Sequence, residues 1–179
     1  MYTEILKFWF EEIEPSQWWK KDVDFDRMLI ERFSGIHASA TRCELFDWRI
    51  TPQGRLAEII IILDQFSRNM FRESPLAFAS DPLALALAQE GVLAGADQVL
   101  TPVQRSFVYM PYMHSESLKI HEVAVHLFER NGIKGNLDFE LKHKSIIEKF
   151  GRYPHRNSAL GRVSTAAEIE FLKQPGSGF

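Results

Sequence analysis

The chain has one cysteine, Cys43, in 179 residues. A single thiol excludes an internal disulfide, is a poor basis for zinc or redox chemistry, and fits a reducing compartment. No charge of one sign dominates. Lys and Arg number 21 against 24 Asp and Glu, a net of −3. No global field therefore recruits nucleic acid or an acidic membrane surface. No apolar run approaches the roughly 20 residues of a membrane helix. The start, Met1-Tyr2-Thr3-Glu4, lacks the basic segment of a secretory signal. These absences predict a soluble, cytoplasmic protein that binds neither nucleic acid nor membrane. The sequence sets no oligomeric state.

Several chemical signatures are missing too. There is no Walker loop, no G-x-G-x-x-G, no G-x-S-x-G elbow and no H-E-x-x-H. Aromatic and basic residues interleave only around Tyr153, too sparsely for a base-stacking platform. His121 and His126 are five apart and project from different sides of one helix. A spatial grouping of His114, Glu116 and His155 is the one conceivable metal site, and the sequence signals no metal and no cofactor.

What the chain does have is helix punctuation. Thr51-Pro52, Ser74-Pro75, Asp81-Pro82 and Thr101-Pro102 each place a capping side chain before a proline. Proline suits the first helical turn, where its missing N–H costs nothing. Thr165-Ala166-Ala167-Glu168 is a capping box. Helices are expected at about 3–13, 23–40, 53–68, 75–79, 82–94, 102–110, 115–131, 137–150 and 165–173. Ile59 to Leu63 is apolar all round and reads as the middle of a central helix. No alternating hairpin-linked segments appear. The fold class is all-α, one helical domain over 1–179 with room for two lobes, 1–50 and 51–179. With 45% hydrophobic residues, 14 Phe and 4 Trp, the core is substantial. The tail 174–179 should be loose unless Phe179 docks.

Charge is unevenly spread. Residues 1–31 carry four basic and eight acidic side chains, a balance of −4. Residues 142–162 carry six basic and one acidic, a balance of +5. Polar groups concentrate in three places. Asp64 directly follows the apolar run, so its carboxylate is expected to be buried and to need a partner. Arg68 stands at i+4, the spacing of an intrahelical pair. Arg68 and Arg72 also suit a helix C-terminus. Gln65 and Asn69 share this segment. The second place is His114-Ser115-Glu116, where Ser115 is expected to cap a helix and hold His114 at an anion-favouring mouth. The third is Phe150 to Asn157, with Arg152, His155, Arg156 and Asn157 around a stiff Tyr153-Pro154 step. His121 and His143 lie on apolar stripes and read as bonded core residues. His126 is expected to pair with Glu122, and His37 has no suggestive company.

On these motifs the chain resembles the domain-of-unknown-function 924 family of bacterial proteins. The markers are Leu63-Asp64-Gln65-Phe66 with Arg68-Asn69, and Tyr109-Met110-Pro111 with His114-Ser115-Glu116. The third is Phe150-Gly151-Arg152 with Pro154-His155-Arg156-Asn157 and Gly161-Arg162. The resemblance implies helix pairs in a tetratricopeptide-repeat-like arrangement, with the three motifs forming one unit. It implies no activity and no catalytic residues. Ser67 stands where the family pattern has proline, which should relax the end of the central helix.

Three functions follow as expectations. The first is a binding scaffold for a small anionic ligand or an acidic peptide end. Arg68, Arg72, Arg152 and Arg156 would supply charge, His114, His155 and Asn157 would orient the ligand, and Gln65, Asn69 and Glu116 would complete the lining. The second is a hydrolase or lyase with Asp64 and either His114 or His155 as acid and base. It requires a carboxylate and an imidazole within about 3 Å. The third is a protein-interaction module, for which exposed members of Trp9, Trp18, Trp19 and Trp48 would be the clue.

Overall fold

Residues 2–178 are described by a computed structural model of the chain, all but the side chains at 59–61. The described residues form helices and turns with no strand. In order come α1 (Tyr2–Lys7), which continues as a widened turn, then α2 (Val23–Thr41) and a central rod. The rod is α3 (Pro52–Leu56), a stretch with π-type hydrogen bonding (Ala57–Phe66) and α4 (Ser67–Met70). After it come α5 (Asp81–Leu93), α6 (Pro102–Met113), α7 (Leu118–Asn131), α8 (Lys134–Phe150) and α9 (Ala166–Leu172). Helices α6, α7 and α8 pack in sequence, and their short connections make neighbours antiparallel.

The caps explain most of the boundaries. Thr51 accepts from the Gly54 N–H, and Ser74 accepts from the Leu76 N–H. Thr101 with Gln104, and Thr165 with Glu168, close reciprocal capping boxes. Such a cap contributes about 1 kcal/mol. Two expected caps are not caps. Asp81 leaves capping to the Ser80 position and turns its carboxylate to arginines instead. Ser115 caps nothing, because α7 starts at Leu118. The cause is α6, which runs through Pro111 to Met113 instead of ending at 110. His114 is therefore the C-cap of α6 and does not sit at a helix N-terminus. The end of a helix that favours cations replaces the expected anion-favouring mouth.

The rod lies in the core. Leu56, Leu63 and Phe66 are fully buried. Phe66 packs on Phe33 at 5.1 Å and on Trp9 at 5.7 Å between ring centroids, and Trp9 meets Phe107 edge-on at 5.9 Å. Each such ring contributes about 1.5–3 kcal/mol on burial. Gly54 is required where the rod meets the Phe46–Ile50 turn. A Cβ there would lie 2.1 Å from the Trp48 carbonyl oxygen. Next to it the buried Glu58 holds both forks of Arg49, at 2.6 and 2.7 Å.

Ser67 does not loosen the rod. Its hydroxyl donates to the Leu63 carbonyl at 2.7 Å and contacts His37 Nε2 at 2.8 Å, which gives His37 a partner. His126 approaches Glu129 at 4.0 Å, not Glu122. One stretch, Pro75–Leu93, is long and apolar enough by composition to span a membrane. It is broken by turns before α5 and by Asp81, which is bound to two arginines. At the other end of the chain the tail turns back. Ser177 donates to the Leu172 carbonyl at 3.0 Å, and a Cβ at Gly178 would lie 3.7 Å from His155 Cβ. Phe179 lies outside the described residues.

Candidate functional site

The three polar motifs meet at one place. The rod brings Asp64 and Arg68, the end of α6 brings His114, and the Pro154–Arg156 turn brings Arg156. Asp64 is fully buried. Its Oδ1 accepts from His114 Nδ1 at 2.7 Å and forms an ion pair with Arg68 Nη1 at 2.9 Å, while Nη1 donates to the Asp64 main-chain carbonyl at 3.1 Å. Its Oδ2 accepts from Gln65 Nε2 at 2.6 Å, and the same amide reaches Met110 Sδ at 3.3 Å. Burial pushes this carboxyl up, but Arg68 and His114 outweigh burial and hold it at about 2.

An ionised Asp64 can only accept, so His114 Nδ1 carries the proton. Nε2 is then the ring's lone-pair nitrogen. Among the described residues nothing hydrogen-bonds to it, and the His114 side chain keeps 16% of its exposure. Burial and then the Arg68 charge push the His114 pKa down, so the ring is neutral near pH 7.

Asp81 is the hub behind this pair. It takes both forks of Arg68 at 3.0 Å and Arg156 Nη1 at 3.1 Å. Arg156 also donates to the His114 carbonyl at 2.9 Å and lies over the rings of Phe78 and Tyr153, 4.7 Å from each centroid. Two carboxylates thus meet two guanidiniums, and the neutral imidazole adds no charge. Tyr153 is the aromatic centre. Its hydroxyl donates to the Met113 carbonyl at 2.5 Å and lies 3.1 Å from His121 Nε2, whose N–H donates to the Ser115 carbonyl at 2.9 Å. His121 Nδ1 is hydrogen-bonded to buried Glu140 at 2.7 Å, and burial pushes that carboxyl up. The His143 and His155 rings flank Tyr153 at 5.7 and 5.5 Å, and burial pushes both pKa values down to about 3.

The other expected site residues are placed as follows. Arg72 and Asn69 leave the cluster and bind Asp26 of α2. Arg152 forks onto Glu168 at 2.6 and 2.8 Å, anchoring α9. Asn157 reaches Ser164 at 3.0 Å. Glu116 is gripped by Arg162 at 2.7 and 2.9 Å and accepts from the Tyr153 N–H at 2.8 Å. The four arginines expected to meet an anion thus each hold a carboxylate of the protein. His155 lies beside Tyr153, while His114 takes the Asp64 contact. No group of three or more His, Cys, Asp or Glu is arranged to hold a metal among the described residues.

Sequence reasoning missed Asp81, Tyr153, Glu140 and Arg162. Asp81 had a signal of sorts. Buried Arg68 and Arg156 require more carboxylate than Asp64 alone provides, and Asp-Pro is both a cap signature and a carboxylate at a helix start.

The chain belongs to the family described as bacterial protein of unknown function (DUF924), whose model matches residues 5–176. It is similar to a solved protein of unknown function, ATU0120 from Agrobacterium tumefaciens. The identity is 35%, 96% of each chain is covered, and the TM-score is 0.90. No curated protein matches the chain.

Proposed function

We propose that the chain is an acid–base enzyme of the hydrolase or lyase class, with His114 as general base and Asp64 as the carboxylate that orients it. The observation that carries this reading is the 2.7 Å contact between Asp64 Oδ1 and His114 Nδ1. It sets the tautomer and leaves Nε2 to take a proton from water or from a substrate O–H or C–H. Gln65 donates to the other carboxylate oxygen of Asp64, and Arg68 pairs with its charge. The anion-scaffold reading is less well supported, because Arg68, Arg72, Arg152 and Arg156 would each have to exchange a carboxylate for the ligand. The tetratricopeptide-like character of the helix pairs belongs to this proposal as a framework, supported by the consecutive packing of α6, α7 and α8.

The test is a panel of esters, amides, lactones and phosphomonoesters assayed with the parent and His114→Gln. Turnover that falls by about 10²–10⁴-fold in the variant is expected. Equal turnover in both proteins would sink the reading. So would no turnover at all, together with nitrogen shifts showing the His114 proton on Nε2.

A further inference from the structure

We propose that the hollow between α6, the Trp18–Trp19 corner and the start of α8 binds a single ring-sized ligand that carries an N–H donor. This goes beyond the acid–base reading and does not rest on it. The hollow measures about 180 Å³ and is lined by Trp18, Trp19, Val103, Phe107, Met110 and Asn136, among others. A cavity of about 150 Å³ is enough for benzene.

The walls suit a flat ring. Trp19 lies parallel to Phe107, 2° between planes and 6.1 Å between centroids, while Trp18 meets Phe107 edge-on at 5.0 Å. Trp19 nevertheless keeps 61% of its exposure, so a large π face remains uncovered at the rim. A stacked ring would cover it.

One side is polar, and its orientation is fixed by proton count. The Ser106 hydroxyl donates to the Pro102 carbonyl at 3.0 Å. Its oxygen can then only accept, which it does from Asn136 Nδ2 at 2.6 Å and Asn131 Nδ2 at 3.0 Å. Both amides must turn their nitrogens to Ser106 and their oxygens away. Asn131 Oδ1 is buried with no hydrogen-bond partner. Asn136 lines the hollow, and among the described residues nothing donates to its Oδ1. A ligand N–H would satisfy that acceptor. An anion would face the Asn136 amide oxygen, and a plain hydrocarbon covering the hollow would leave that oxygen unpaired.

The experiment titrates the full chain with indole and with benzofuran, which has the same shape but no N–H, read by calorimetry and by nitrogen–proton spectra. Indole is expected to shift the ring N–H signals of Trp18 and Trp19 and the Asn136 amide. Benzofuran should bind about three- to tenfold more weakly. Trp19→Ala should weaken both, and Asn136→Leu should erase the difference between them. Equal binding of the two rings, or no binding of either at millimolar concentration, would overturn the proposal. So would a dimer in sedimentation that Trp19→Ala dissociates, since a second copy would then fill the hollow.

Discussion

Acid should destabilise this protein well before its carboxylates titrate. His143 and His155 are held at about 3 by burial, with neighbouring positive charge adding to the effect at His155. In the unfolded chain both return to about 6.5. Between about pH 5.5 and 4.5 the unfolded state therefore carries both protons and the native state neither. Each such histidine costs about 1.4 kcal/mol of stability per pH unit, and the pair about 2.7. The contribution is fully present above about pH 6.5 and declines as pH falls toward 3. His37 and His114, also pushed down by burial, act with the same sign. Glu140, pushed up by burial, acts with the opposite sign around its own titration. Asp64, held at about 2, keeps its stabilising charge throughout this window and loses it only in stronger acid. Urea unfolding followed by circular dichroism at about pH 5.5 and 4.5 would read the slope directly. The double variant His143→Gln with His155→Gln should flatten it. A stability that is level between about pH 6 and 4.5, or a slope untouched by the double variant, would refute the reasoning.

Two further outcomes follow from the same geometry. Asp81→Ala strands Arg156, which is 6% exposed, and should cost about 3–5 kcal/mol, or very roughly 6–20 °C in Tm. In an Arg156→Met background the same change should cost markedly less, and a double-mutant cycle by calorimetry would show whether it does. Gly54→Ala places a methyl against the Trp48 carbonyl and should lose about 1–3 kcal/mol. Gly35→Ala in α2 meets no atom within 4 Å and should gain a few tenths to about 1 kcal/mol, so paired thermal melts check the contrast.

Local chemistry was legible in the sequence where it decides structure alone. Thr51, Ser74, Thr101 and Thr165 cap where they stand, because a cap needs only its own next three residues. The Asp64–Arg68 pair was legible for the same reason, being one helical turn apart. The contact of His114 with Asp64 spans 50 residues, and no spacing rule reaches that far. It had entered only as one option beside His155. Asp81 was misread because the same Asp-Pro step serves a cap and a bridge equally well, and tertiary demand from two buried arginines settled it. Pro111 was taken as the end of α6, yet the helix continues to Met113 because packing on the rod and on α7 outweighs the lost N–H. That extension moved His114 from the start of one helix to the end of another.

The Asp81 hub also fixes an order of events. Arg68 is 13 residues from Asp81, but Arg156 is 75 residues away. During synthesis the first pair can close while the third arm is still unmade, so the carboxylates of Asp64 and Asp81 share the single guanidinium of Arg68 until Arg156 arrives. Sequence-adjacent helices such as α6 and α7 dock by short-range closure, which is fast, whereas the arrival of Arg156 is a long-range event and therefore late. A nascent chain stopped before Arg156 would contain α1 to α8 and the Asp64, Arg68, Asp81 and His114 contacts, but not the second guanidinium. Arg156, which also holds the His114 carbonyl, would thus be the last arm to reach a His114–Asp64 pair already made.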